Sequence, residues 1–153
     1  MTIADKESLS TTLGRGMAAG VAGTVVMTAF QKLVEMPLTG RGDSYAPADL
    51  AEKLLPLPKK RGDERNLRNY VTHFALGAGW GAARGLVGRA GLSGQPAVAA
   101  VFGLMYPGDI AIVAGLGIDR PSEWSGRDWA IDAVDKFVLA LAASLAYERL
   151  ADS

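Results

Sequence analysis

The chain has no cysteine, one histidine, few aromatic residues (7%) and no excess of charge of either sign. The absence of thiols excludes disulfides, zinc thiolate sites and thiol catalysis. Sixteen basic residues stand against sixteen acidic ones, which removes the bulk electrostatic case for nucleic acid or for acidic partners. No serine, histidine and acid fall at a spacing that suggests a nucleophile, so no enzyme chemistry is expected. A lone histidine offers at most one axial ligand to a haem or chlorin, and neither cofactor nor metal is expected. Long uncharged runs are also scarce. The longest, Ala90 to Gly108, has 19 residues. The first apolar segment is uncharged only from Gly16 to Gln31, and the last only from Phe137 to Tyr147.

Glycine is abundant, 19 in 153 residues. It concentrates in the stretch from Asn69 to Gly91, NYVTHFALGAGWGAARGLVGRAG, where Gly77, Gly81, Gly85 and Gly88 recur every three or four residues. In a water-soluble helix each would cost roughly 1 kcal/mol relative to alanine. In a bilayer the segment stays helical because lipid offers the backbone no other partner, and small residues let a second helix approach closely. The pattern predicts an all-α fold: a four-transmembrane-helix bundle forming one integral membrane domain, with spans at about 13–36, 69–89, 96–118 and 128–150. A short amphipathic helix at about 47–55, with Pro47 in its first turn and Leu50, Leu54 and Leu55 on its apolar side, is expected at the interface between helices one and two.

Residues 1–12 are polar and expected to fray or lie on the membrane surface. The first span is expected to be retained, not cleaved as a signal peptide, and to end at Pro37. Pro107 and Gly108 predict a kink or a short break in the third. Lys32, Glu35, Arg84 and Lys136 lie near helix ends, where long side chains snorkel. Trp124 and Trp129 at the entrance of the fourth span, with Tyr147 at its exit, fit interfacial aromatic belts. The excess of Lys and Arg in the connections after helices one and three puts those connections in the cytoplasm. The expected setting is a bacterial inner membrane, crossed several times. The expected partners are the lipid bilayer and other membrane subunits or a second copy, without nucleic acid.

Two sets of residues carry the functional expectations. The first is for helix packing: Gly16, Gly20, Thr24 and Thr28 form a stripe on helix one, continued by Gln31 and Glu35, that faces Gly77, Gly81, Gly85 and Gly88 of helix two. The second is a titratable group in the half of the bundle nearest the long connections, comprising Glu35, His73, Asp109, Asp132, Asp135 and Lys136. Glu35 and His73 continue their helices' packing stripes and are expected to approach each other. Asp132 and Lys136 have a favourable ion-pair spacing. One reading is a polar vestibule that binds a cation or passes protons. The other is a set of interfacial ion pairs and helix caps, such as Asp128.

Other matches are weak: GAGWGA lacks a preceding strand for a dinucleotide site, Arg41-Gly42-Asp43 is only a tripeptide, and Lys59-Lys60-Arg61 reads as a topology signal. The order of features, GMAAGVAGTVVMTAFQ, a polar connection with a Pro-started turn at Ala46 to Leu55, then HFALGAGWGAARGL, resembles the YagU-like group of small bacterial inner-membrane proteins. The resemblance covers helices one and two best. It implies a multi-helix membrane protein without an assigned reaction and transfers no catalytic residue. Three functions stand as expectations: first, a non-enzymatic accessory or scaffolding subunit that packs within itself, against other membrane helices or against a larger complex, an energy-transducing one being an example; as the alternative, a small proton or cation transporter or channel; and third, a soluble all-helical binding module.

Overall fold

The computed structural model describes residues 7–153, and every regular element among them is helical. Helix α1 is Leu9–Thr39. It is followed by α2 (Ala46–Leu54), α3 (Gly62–Arg89), α4 (Gly94–Gly115), a 3-10 turn at Pro121–Glu123 and α5 (Gly126–Ala151). Part of the expectation for residues 1–12 lies outside the described residues; from Leu9 onward the chain is helical, capped by Ser8 Oγ, which accepts from the Thr11 amide at 3.1 Å.

α1 does not end at Pro37. A helix-interior proline lacks an amide hydrogen and crowds the carbonyl four residues back. Directly before it, Gln31–Glu35 widens into a π-helical turn, in which the Met36 amide reaches the Gln31 carbonyl, and the helix continues to Thr39. Gly40, in the left-handed region at φ 71°, then ends it. Nor does α4 break at Pro107: the helix runs through it to Gly115. α5 begins with a capping box in which Ser125 and Asp128 each satisfy the other's backbone amide.

α1, packed between α3 and α5, is the centre of the bundle, and α4 lies across α5 and α3. The α1–α3 seam is backbone against backbone. A Cβ added to Gly20 would lie 2.8 Å from the Gly81 Cα, one added to Gly16 3.0 Å from the Ala82 Cα, and one added to Gly85 2.7 Å from the Thr12 carbonyl oxygen. Thr24 is fully buried and donates its hydroxyl to the Gly20 carbonyl at 2.8 Å. On the other side of α1, Gly23 leaves no room beside Ala143 of α5. The fourth glycine of the ladder, Gly88, does something else: it makes space for the side chains of Arg84 and Tyr147.

The α4 seams are built from side chains. Ala97, Val98, Val101 and Met105 form a core with Leu139 and Ala140 of α5, bordered by Trp80 and Phe102. Large apolar side chains also lie on the outside of the bundle. Met17, Val21 and Val25 on α1, Leu104 on α4, and Phe137, Leu141 and Leu145 on α5 are all exposed. α1 and α4 are long and apolar enough to cross a membrane. α2 packs on α3 with Ala48 and Leu50 inside, whereas Leu54 and Leu55, expected on its apolar side, are exposed. Ion pairs Arg65–Asp49 at 3.0 Å and Arg68–Glu52 at 2.8 Å fasten it.

Candidate functional site: a polar cavity at the long-connection end

Antiparallel packing of α1, α3, α4 and α5 brings the end of α1, the start of α3, the later half of α4 and the start of α5 to one end of the molecule. There they enclose a cavity of about 220 Å³. Glu35 from α1, His73 from α3, Asp109 from α4, and Asp132, Asp135 and Lys136 from α5 all line it, and α2 and the connections after α1 and α4 complete the wall. Its carboxylates are Glu35, Asp43, Asp109, Asp119, Asp132 and Asp135, against the three cationic side chains Lys32, Arg41 and Lys136. The lining is therefore net acidic with His73 neutral.

Within the cavity the pairings differ from those expected. His73 does not meet Glu35: its Nε2 lies 3.2 Å from the Thr28 hydroxyl, and Glu35 instead accepts from Thr39 at 2.7 Å. Lys136 does not pair with Asp132 one turn away on its own helix. It reaches across to Asp109 Oδ2 at 2.9 Å, while Asp109 Oδ1 accepts from the Trp80 indole at 3.1 Å. Asp109, the deepest of the group by sequence, thus has both oxygens engaged. Lys32 is held by Asp43 of the following connection.

Asp132 has no hydrogen bond or ion pair among the described residues, and Asp135 is the most buried of the group. It is 7% exposed, its Oδ2 accepts from the Gln31 amide at 2.8 Å, and its Oδ1 is buried without a partner. A buried carboxylate oxygen left unsatisfied costs about 1–3 kcal/mol or more. Gln31 opens the π-helical turn of α1, and such turns occur frequently at functional sites. Sequence periodicity placed Gln31 on the packing stripe but carried no sign that it would orient a carboxylate of α5.

No family model, curated protein or solved structure matches the chain.

At the opposite end lies a second ionic cluster that sequence reading missed. Arg84 does not snorkel: it is 1% exposed, with Nε donating to the Ser144 hydroxyl at 3.1 Å and Nη2 paired with Glu148 at 3.0 Å. Its guanidinium lies over the Tyr147 ring at 4.6 Å, so Tyr147 is buried and does not serve in an outer aromatic belt. Glu148 also accepts from the Gly94 amide at 2.6 Å, tying the start of α4 to α5. This cluster joins α3, α4 and α5 and reads as structural. The signal available in the sequence was Gly88 one turn beyond Arg84, which clears the space its side chain fills.

Proposed function

We propose that the chain is a small multi-pass membrane protein, with α1, α3, α4 and α5 as its four spans and α2 at the interface, that binds and moves cations through the acidic cavity. The observation that carries this reading is the convergence of six carboxylates and three cationic side chains on one space of about 220 Å³. Charge inside a membrane protein is expensive and is kept where it faces a partner or a water-filled cavity. The charges bordering the apolar belt here follow that rule: Asp109, Asp135 and Lys136 face the cavity, and Arg84 faces the interior. Large apolar side chains outside and the glycine seam between α1 and α3 support lipid as the surrounding solvent, since packing of small residues drives association where burial of apolar area cannot.

The accessory or scaffolding reading draws on the same glycines, and most of these are occupied within the chain. Gly16, Gly20, Gly23, Gly77, Gly81 and Gly85 have backbone or side-chain atoms against them, which leaves Gly14, Gly79 and Gly103 inside the long helices as open positions for a partner. The cation reading therefore stands first. A bacterial inner-membrane location, cytoplasmic long connections and kinship with the YagU-like group belong to this proposal as its setting.

The test is reconstitution of the full chain in liposomes with dyes that report internal pH and potassium or sodium. Cation movement above that of protein-free vesicles is the expected result. Vesicles as tight as the protein-free control to protons, sodium, potassium and a radiolabelled organic cation alike, at protein densities verified by recovery from the membrane fraction, would remove the proposal.

A further inference from the structure

The cavity is poorly made for a bare metal ion. Among the described residues, no three His, Asp or Glu side chains converge closely enough to hold one. Its space of about 220 Å³ would take about seven waters at ~30 Å³ each. That is also below the roughly 300–1,000 Å³ of a pocket for a drug-sized molecule. The wall is mixed in character: Tyr70, Trp80 and Trp124 line it beside Leu76 and Leu139, together with the carboxylates. Of the carboxylates that the long helices bring to it, Asp109 is satisfied by Lys136 and Trp80, Glu35 accepts from Thr39, and Asp132, less buried than Asp135, has no partner among the described residues. Asp135 has only the uncharged Gln31 on one oxygen and nothing on the other.

We propose that the cavity takes a small organic ammonium ion, the size of tetramethylammonium or choline, with Asp135 as its counter-ion and the rings of Tyr70, Trp80 and Trp124 as its apolar wall. The proposal rests on the cation reading above and narrows it to a ligand class. A methylated ammonium is bulky and weakly hydrated, so it gives up water to a half-apolar cavity far more readily than sodium does. Aromatic faces attract it electrostatically, the mode by which quaternary ammonium ligands are recognised. Its single positive charge is compensated by the Asp135 carboxylate in the cavity wall, whose one hydrogen-bond partner is the uncharged Gln31 amide. A bare inorganic cation would need a tight oxygen shell that the spread carboxylates do not form.

The experiment uses the purified full chain in detergent micelles, titrated with tetramethylammonium, choline, the uncharged choline isostere 3,3-dimethyl-1-butanol, sodium and potassium, followed by tryptophan fluorescence and calorimetry. Tetramethylammonium and choline are expected to bind at least tenfold tighter than either inorganic ion, and the neutral isostere not to bind measurably. Asp135→Asn should weaken choline tenfold or more while leaving the thermal unfolding midpoint near that of the wild type. If Asp135→Asn fails to fold, Tyr70→Leu at a 40%-exposed position serves instead, with a threefold loss expected. Equal binding of the neutral isostere, choline binding indifferent to these substitutions, or no binding of either ammonium ion would overturn the proposal. In that last case, liposomes that still pass protons, sodium or potassium leave the cation reading intact and refute only the ligand class. Tight liposomes remove both.

Discussion

Two seams of this bundle are built on opposite plans. Where α1 meets α3, Gly16, Gly20, Gly77, Gly81 and Gly85 put backbone on backbone, with Thr12 and Thr24 against the glycines and Thr28 meeting His73 at the cavity end. Where α4 meets α5, Val98, Val101, Met105 and Leu139 interdigitate, Phe102 packs edge-on against Phe137 at 5.9 Å, and an ion pair joins Asp109 to Lys136. A backbone seam has one geometry and cannot relax around an added atom, because neither side has a rotamer to change. A side-chain seam can relax, and it leaves gaps between bulky groups. The cavity lies where the bundle passes from the first kind of contact to the second. Thr24 and Gly77 form part of its wall on one side, Leu139 and Asp109 on the other.

The largest effect that would test this contrast comes from Gly20→Leu. The first added carbon already falls 2.8 Å from the Gly81 Cα, and three more follow it into the backbone of α3. We expect a loss of more than about 4 kcal/mol, in the range reserved for severe overpacking of a core. The readout is the thermal unfolding midpoint and recovery of folded protein in detergent. A folded Gly20→Leu variant with an ordinary midpoint would mean that α1 and α3 are not in backbone contact.

An intermediate effect is expected from Lys136→Met on the other seam. Removing the ammonium leaves the Asp109 carboxylate, about one-fifth exposed, with the Trp80 indole as its remaining partner, at a cost of about 3 kcal/mol. Adding Asp109→Asn in the same chain removes the stranded charge and should recover most of that loss. The double-mutant cycle measures the coupling. Additive losses would show that the two side chains do not share the pair. A recovered fold would show that the pair can be replaced as a unit, which Gly20 cannot.

How much of this was legible follows from the same contrast. The partner of the glycine ladder could be read because the stripe Gly16, Gly20, Thr24, Thr28 on α1 repeats the ladder's own spacing, and two faces without side chains have few other ways to be useful. The gathering of titratable groups at one end followed from antiparallel order alone. The pairings inside that end did not, because spacing along one helix favours Lys136 with Asp132, while the choice of Asp109 depends on how α4 lies across α5. Arg84 was misjudged for a related reason. Its position near a helix end suggested an outward side chain, but Ser144 and Glu148, sixty residues away, and the gap beside Gly88 hold it inside. The π-helical turn before Pro37 has no local sequence mark beyond the proline itself. It is this turn that sits opposite Asp135.

The smallest effect sharpens the comparison from within a single helix. Gly79 lies between Gly77 and Gly81 on α3, yet it is exposed and an added Cβ would meet nothing within 4 Å. If seam contact rather than glycine content sets tolerance, Gly79→Ala should be harmless where Gly81→Ala is not, although the two sites are half a turn apart. In water the substitution would stabilise by up to about 1 kcal/mol through helix propensity. In lipid the unfolded reference is itself helical, because an unpaired backbone is not tolerated there, so most of that gain disappears. The expected shift in the unfolding midpoint in a bilayer-like medium is thus upward and small, below about 0.5 kcal/mol. A gain near the full aqueous value would argue that α3 is surrounded by water. A loss comparable to that of Gly81→Ala would mean that the exposed face of α3 is itself a seam, and that a second helix outside this chain covers it.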